Sequence, residues 1–341
     1  MKFDLHMISG LRKSGTSLFK NLLDGHPELF VIPPNEFDFF CYSHHEALTQ
    51  PKYQRIEDVN KLLQVLARQN FIVRMSASFS GGDSDRDGDS RWAGRRTTFD
   101  VESFLSEIEQ VRVSSYEEIF STLFNAMARH CGIDSDAMIG KSFIFKNTLE
   151  TEFFGLYKKW FPEMKLIYTL RNPYAQFAAQ SRGEHLHADK FRYPILAEYV
   201  NLMRFEYHFL NYWQAVYPDD IHVVRYEDIV LHSEDAMRGV ASFLGIDYRD
   251  SLLNPTILGV PWGGNSSADE TYKKIDSRPL ERWKTVLSQQ EIHLITKYFG
   301  PKIEEFGYEV IPGKRSLLPN HRTETLRRYV GNKYLQYTPY Y

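Results

Sequence analysis

The 341-residue chain is 43% hydrophobic and 25% charged, proportions that support a sizeable folded core and exclude disordered and fibrous classes. Its formal net charge of −3 gives no overall pull toward nucleic acid or a membrane surface, so an anionic ligand must be held by local Arg and Lys clusters. The two cysteines, Cys41 and Cys131, lack metal-ligand or Cys-x-x-Cys spacing, which argues against a zinc site or disulfide scaffold and fits a reducing compartment.

The chain opens on Met-Lys-Phe-Asp-Leu with no basic segment followed by a long apolar stretch. Neither a signal peptide nor a membrane span is expected, and the expected location is cytoplasmic. Phe3 to Ser9 predicts a short buried strand, Gly10 to Gly15 a glycine-containing turn, and Thr16 to Leu23 a helix ended by Asp24-Gly25-His26-Pro27. Phe30-Val31-Ile32 predicts a second strand, stopped by Pro33-Pro34, which leaves Asn35 and Glu36 at a strand end or loop. Ile56 to Ala67 reads as helix, and the polar stretch Ser80 to Arg96 as a surface loop or lid. Further strands are expected at Ser142 to Phe145, Lys165 to Leu170 and Ile221 to Tyr226. Helices are expected at Thr151 to Trp160 and Leu196 to Tyr217. Pro255 to Arg278 is irregular and Pro279 to Phe306 helical. Strands alternating with helices imply an α/β fold with a central, mostly parallel sheet, whose ligand-binding residues lie just past the carboxyl ends of the strands. One catalytic domain over 1–315 is expected, with a surface insertion at about 80–98 and a C-terminal extension over 316–341.

The segment Gly10-Leu11-Arg12-Lys13-Ser14-Gly15-Thr16-Ser17 follows a predicted strand and opens a predicted helix. In that setting backbone N–H groups and the helix dipole can cradle anionic oxygens. It is nearly a Walker A loop, yet Thr16 stands where a nucleotidase has its lysine, and a lysine occurs inside the loop instead, at Lys13. The strand Lys165 to Leu170 runs into Arg171, where a nucleotidase usually offers an Asp for magnesium. Both changes favour a phosphate-bearing ligand without a γ-phosphate and without a metal.

Arg12-Lys13-Ser14-Gly15-Thr16-Ser17-Leu18, followed by Leu22-Leu23-Asp24-Gly25-His26-Pro27, resembles the 5′-phosphosulfate loop of the sulfotransferase superfamily. The likeness is to its bacterial, carbohydrate and tyrosylprotein branches. Phe145-Lys146-Asn147 resembles the family's Lys-(Thr/Asp)-Pro segment, although Asn147-Thr148 departs from the usual Thr-Pro. The run from Phe161 through Arg171-Asn172-Pro173 is similar to the family's 3′-phosphate segment, and Arg225-Tyr226-Glu227-Asp228 to its late strand. Gly264-Asn265-Ser266-Ser267 with Arg282-Trp283-Lys284 resembles its nucleotide-covering segment. The resemblance implies a P-loop-like three-layer sandwich and a donor, 3′-phosphoadenosine 5′-phosphosulfate (PAPS), that leaves as 3′,5′-adenosine diphosphate. It implies donor contacts from Arg12, Lys13, Ser14, Gly15, Thr16, Ser17, Leu18, Arg171, Tyr226, Asn265, Ser267 and Arg278. The family's usual 3′-phosphate serine falls here on Ala179: either Ser181, two residues on, takes its place, or that contact is absent and Arg171 acts with other donors.

Sulfuryl transfer builds charge on a bridging oxygen, so cations and donors aimed there dominate. Lys13 and Lys146 are the expected cations, with Ser266 as an added donor and no metal. A hydroxyl acceptor, for example a glycan, lipid or small molecule, needs a general base. Glu36 is expected in that role, where the carbohydrate and tyrosylprotein branches carry a catalytic Glu; His44, His45, His185 and His187 are the alternatives. The competing function is a P-loop nucleotide kinase or a non-catalytic nucleotide-binding module. The Walker lysine and strand-end Asp that a kinase needs are missing, while a dead module would not need Lys13, Lys146, Glu36 and Arg171 together. Asp83, Asp85 and Asp87 with Gly88 copy the first half of a calcium-binding loop, but Gly94 stands in place of its bidentate Glu, so a solvated acidic turn is expected. Arg91, Arg95 and Arg96 neutralise that turn or meet an anionic acceptor. His185, His187, Lys190, Arg192 and Tyr193 are expected to face the acceptor.

Overall fold

A computed structural model describes residues 4–34, 36–37, 39–40, 56, 58–68, 99–148, 150–183, 192–264 and 275–313. Side-chain alternation along its short apolar strands decides the layering. In β1 (Leu5–Ser9), Leu5 and Met7 point into one apolar cluster and Ile8 into another. The same split separates Phe143 and Phe145 from Ile144 in β3 (Ser142–Lys146), and Leu166, Tyr168 and Leu170 from Ile167 in β4 (Leu166–Leu170). With β2 (Leu29–Val31) and β5 (Ile221–Arg225) these form one parallel five-stranded sheet, order β2-β3-β1-β4-β5. Because both faces are buried, each needs a layer of helices.

One face is covered by α1 (Thr16–Leu23), which buries Phe19, Leu22 and Leu23. Against the opposite face lie α2 (Val59–Leu66), α3 (Val101–Gln110), α4 (Tyr116–His130), α5 (Phe154–Trp160), α6 (Pro173–Gly183) and α7 (Arg192–Val216). The first face is completed by α8 (Tyr226–Leu231) and α9 (Ser233–Leu244), through Ile229, Met237, Val240 and Leu244. A hairpin of β6 (Thr256–Ile257) and β7 (Val260–Pro261) follows. The chain then reaches α10 (Arg278–Glu281), α11 (Trp283–Val286) and α12 (Gln289–Glu305), the last started by a capping box of Ser288 and Glu291. This is the expected α/β, P-loop-like three-layer sandwich.

Boundaries move where local chemistry overrides the pattern. The helix expected from Ile56 starts at Val59, because the Asp58 carboxylate accepts the N–H groups of Asn60 and Lys61 (2.8 and 3.2 Å) and so caps it. The stretch expected to be helical from Thr151 opens as a tight three-residue turn, Thr151–Phe153, before α5. Within the irregular stretch, Leu258 and Gly259 both have positive φ (51° and 73°), the two-residue turn that matches the twist of a hairpin. The aromatic helix around Met203 to Tyr212 is core packing, as expected: Met203, Tyr207 and Leu210 are buried.

The sheet order also locates the crevice. The chain leaves β1 toward β2 and β3 on one side and leaves β4 toward β5 on the other, and ligands bind outside the carboxyl ends of strands at such a switch.

Candidate active site

The loop that joins β1 to α1 is bent by residues with positive φ, Gly10 (147°), Lys13 (65°) and Gly15 (93°). A Cβ on Gly10 would lie 2.5 Å from Thr169 O, and one on Gly15 would enter the Tyr226 ring, so glycine is required at both. Lys13 adopts a left-handed backbone that costs a non-glycine residue of order 1 kcal/mol. Its carbonyl accepts from Arg171 Nη1 at 2.9 Å, which holds the strained turn. Beside it, Arg12 O accepts from Gln176 Nε2 at 2.9 Å, and the Ser14 and Thr169 hydroxyls bond at 2.9 Å. The loop is therefore clamped from β4 and the start of α6. Arg12 and Lys13 project outward as exposed side chains, Ser14 and Thr16 are buried, and Leu18 packs on the apolar cluster beneath α1. Helix α1 starts at Gly15 with no side-chain cap, so its first N–H groups point out of the helix end, the arrangement that binds phosphate.

Lys146 ends β3, and its side chain is 3% exposed. Its ammonium donates to Glu36 Oε1 at 2.6 Å and to Ser17 Oγ at 3.4 Å. Glu36 is thus held against the phosphate-type loop although it lies on a segment without regular structure. Its other oxygen, Oε2, accepts from the Thr148 N–H at 2.9 Å and the Thr148 hydroxyl at 3.3 Å. Glu36, Lys146 and Ser17 meet where the ends of β1 and β3 adjoin, in register at Ile8 and Lys146.

Arg171 follows β4 and is 7% exposed. Its guanidinium stacks on the Tyr226 ring at 4.5 Å, and Nη2 reaches Pro279 O at 3.5 Å. Its Nε is buried with no hydrogen-bond partner among the described residues. Arg278, next to Pro279, is largely exposed and pairs with Asp276, with Nε to Oδ2 at 2.7 Å. Ser181 lies near the end of α6, and its side chain lies outside the described residues. Asn265, Ser266 and Ser267 also lie outside them, as do His44, His45, His185 and His187, the acidic turn at 83–89 with Arg91, Arg95 and Arg96, and Lys190. So do the side chains of Arg192 and Tyr193.

Several residues that build the site have roles that no motif announces. Lys20 of α1 is 1% exposed, and its ammonium donates to Ile32 O, Pro33 O and Pro34 O at 3.2, 2.6 and 3.3 Å. It ties the chain running up to Glu36 onto the helix that begins at the phosphate-type loop. Gln176 spans from that loop to Tyr199, whose hydroxyl donates to Gln176 Oε1 at 3.1 Å. Glu227 accepts from the Asn172 N–H (3.1 Å) and the Tyr308 hydroxyl (2.6 Å), bracing the turn behind Arg171. In the Asp24-Gly25-His26-Pro27 run, the Asp24 carboxylate takes the Thr256 hydroxyl (2.6 Å) and the Gly259 N–H (2.9 Å). His26 Nε2 meets Asp247 O at 2.8 Å. The run docks the β6–β7 hairpin onto the end of α1. Among the described residues, no group of three His, Cys, Asp or Glu side chains is placed to hold a metal ion.

The profile of the sulfotransferase family matches residues 7–250. The chain belongs to the sulfotransferase family. The family is named for sulfuryl transfer. A curated relative, protein-tyrosine sulfotransferase 2 of Gallus gallus, is 27% identical over 92 residues, which cover 25% of this chain and 24% of the relative. The match thus spans about a quarter of that relative's length. Among solved structures, the sulfotransferase domain from the Synechococcus PCC 7002 olefin synthase superposes with a TM-score of 0.55 at 17% identity, covering 91% of this chain and 97% of that domain. The sulfotransferase domain from the curacin biosynthetic pathway gives 0.53 at 15% identity, covering 91% and 99%. At such identities these two share the fold. No helix among the described residues of this sulfotransferase is long and apolar enough to cross a membrane.

Proposed function

We propose that this sulfotransferase uses PAPS as donor and a hydroxyl-bearing molecule, such as a sugar, lipid or small molecule, as acceptor. The observation that carries the reading is the meeting of Glu36 with Lys146 at 2.6 Å beside Ser17 of the loop helix. It sets a base and a cation next to the phosphate-type loop. The Nε of Arg171, buried with no partner among the described residues, and the uncapped start of α1 fit a ligand with two separate phosphate groups. PAPS supplies an activated sulfuryl group whose bond to the bridging oxygen breaks as the acceptor oxygen bonds to sulfur.

The residues then divide the work. Backbone N–H groups from Gly15 to Ser17 bind the 5′-phosphate, with Arg12, Ser14 and Leu18 flanking it. Lys13 and Lys146 offset the charge that builds on the bridging oxygen, which remains on the departing 3′,5′-adenosine diphosphate. Glu36 takes the proton of the attacking hydroxyl. Arg171 holds the 3′-phosphate with Ser181, while Tyr226 keeps the guanidinium flat against the loop. Asn265, Ser266 and Ser267 are assigned to the donor cover by the family resemblance, and Arg278 adds a late cation.

Calorimetric titration with 3′,5′-adenosine diphosphate, 5′-AMP and magnesium-ATP tests the donor. Binding that needs the 3′-phosphate and weakens at least tenfold in Arg171→Ala, about 1.4 kcal/mol or more, supports PAPS. Preference for magnesium-ATP sinks the reading and favours a kinase. Labelled PAPS offered with sugar, sterol, phenol and tyrosyl-peptide hydroxyls then finds the acceptor class; the tyrosyl peptide is included because the Gallus gallus relative is named for protein tyrosine. Glu36→Gln is expected to abolish transfer and leave nucleotide binding intact, whereas unchanged turnover would move the base to a histidine.

A further inference from the structure

A carboxylate on an irregular segment is oriented only by what it touches, and Glu36 is such a group. Each carboxylate oxygen offers two lone-pair sites. On Oε2 both are taken, by the N–H and the hydroxyl of Thr148 at 2.9 and 3.3 Å. On Oε1 a single described donor, Lys146 Nζ, takes one. The backbone beside Glu36 is pinned from the same strand end. Asn147 Nδ2 donates to Phe37 O at 2.7 Å, and the Phe37 N–H donates to Lys146 O at 3.1 Å. Asn147 is itself buried, with its N–H on Ile8 O at 3.0 Å. These contacts come from the two positions at which the chain departs from the family's usual Thr-Pro. A proline at 148 has neither an N–H nor a hydroxyl, so the departure adds both donors that fill Oε2.

We propose that Asn147-Thr148 is a positioning pair for Glu36: Asn147 sets the backbone at Phe37, and Thr148 occupies Oε2, which leaves Oε1 as the oxygen that accepts the hydroxyl proton. The proposal rests on Glu36 being the base. Thr148 touches neither reactant; it acts through the carboxylate. Its loss therefore changes turnover more than binding, because misplacement of a reacting group by about 1 Å costs on the order of 10²-fold.

The test compares Thr148→Pro, Thr148→Ala and Thr148→Ser, each alone and with Glu36→Gln. Turnover is read as 3′,5′-adenosine diphosphate formed from PAPS with the best hydroxyl of the acceptor screen or, failing one, with water. Thr148→Pro, the family's own residue, is expected to lower kcat by about 10²-fold with KM for PAPS and affinity for 3′,5′-adenosine diphosphate unchanged. Thr148→Ala keeps the N–H and loses about threefold, the scale of one ordinary hydrogen bond. Thr148→Ser keeps both donors and restores kcat. Because Glu36→Gln abolishes transfer, a general weakening of the fold is read instead from affinity for 3′,5′-adenosine diphosphate, which Thr148→Pro is expected to leave unchanged in both backgrounds. Wild-type kcat in Thr148→Pro, or a loss of nucleotide affinity that matches the loss of kcat, overturns the proposal. The contact itself is read without turnover, from the Thr148 amide proton in an NMR spectrum of 15N-threonine-labelled protein. Glu36→Ala should move that proton upfield, and an unmoved resonance overturns the contact. Full activity of Glu36→Gln, with the amide proton still tied to Glu36, instead removes the base assignment.

Discussion

Replacing Glu206 with Gln should stabilise the protein, and increasingly so as pH rises. Glu206 is fully buried on α7 and accepts the Thr151 hydroxyl at 2.6 Å; the Thr151 oxygen also meets Ser9 Oγ at 2.8 Å, directly before the phosphate-type loop. Burial raises its pKa from 4.5 to about 7, against the opposing Thr151 hydrogen bond and with help from the negative charge of Glu152. Between those values the folded protein holds a proton on Glu206 that the unfolded chain has released, so stability falls as pH rises through the window. At about 1.4 kcal/mol per pH unit, the loss amounts to about 3 kcal/mol above neutrality. His6 runs the other way. Burial, with Lys165 nearby, lowers its pKa from 6.5 to about 4, so its contribution is full above 6.5 and is lost as pH falls toward 4. The two trends oppose each other in the wild type, and the difference between wild type and Glu206→Gln isolates Glu206. Gln keeps a carbonyl for Thr151 and carries no charge. Guanidinium denaturation of both proteins from about pH 4 to pH 8 should show a gap that grows from near zero to about 3 kcal/mol. A gap that stays constant, or that shrinks as pH rises, refutes the reasoning.

Gly15→Ala forces a Cβ into the Tyr226 ring at a positive φ and is expected to cost about 1–2 kcal/mol of stability. It should also weaken 3′,5′-adenosine diphosphate binding at least tenfold by calorimetry, about 1.4 kcal/mol, and full affinity would show that the loop tolerates a side chain there. Lys20→Met withdraws the ammonium from three successive carbonyls before Glu36; kcat should fall while nucleotide affinity holds, and a parallel loss of both would point to simple unfolding. Asp24→Ala releases the β6–β7 hairpin from α1, which limited proteolysis should detect as faster cleavage within 255–261 than in the wild type.

Much of the fold was legible because its signals are local. Leu5, Met7 and Ile8 alternate, Gly10 and Gly15 bracket a turn, and Thr16 to Leu23 repeats at helical spacing. Each pattern is written within a few residues and follows from backbone geometry. Lys13, Lys146 and Arg171 could be nominated the same way, since each stands in the phosphate-type loop or at a strand end where a parallel sheet presents its ligands, and Glu36 by the family resemblance, which puts a catalytic Glu there. The structural roles of Lys20, Gln176 and Glu227 could not. Their partners are backbone carbonyls, N–H groups and side chains supplied by other elements, and no residue type advertises a carbonyl. A lysine on a short helix reads as a surface charge until Ile32, Pro33 and Pro34 are seen to close over it.

Two departures show where local reading stops. Asn147-Thr148 departs from the family's Thr-Pro, and no local pattern tells that Thr148 meets Glu36 across 112 positions of sequence. Asp24 and His26 were recognisable as a motif, but their partners, Thr256, Gly259 and Asp247, lie on segments more than two hundred positions away. The sequence by itself determined the strands, the phosphate-type loop and the two-faced sheet, because side-chain period and turn chemistry act between near neighbours. Only the tertiary structure decided which oxygen of Glu36 is occupied and which lysine clamps its approach, because those depend on the order β2-β3-β1-β4-β5, which brings distant chain ends within hydrogen-bond reach and leaves no periodic trace in the sequence.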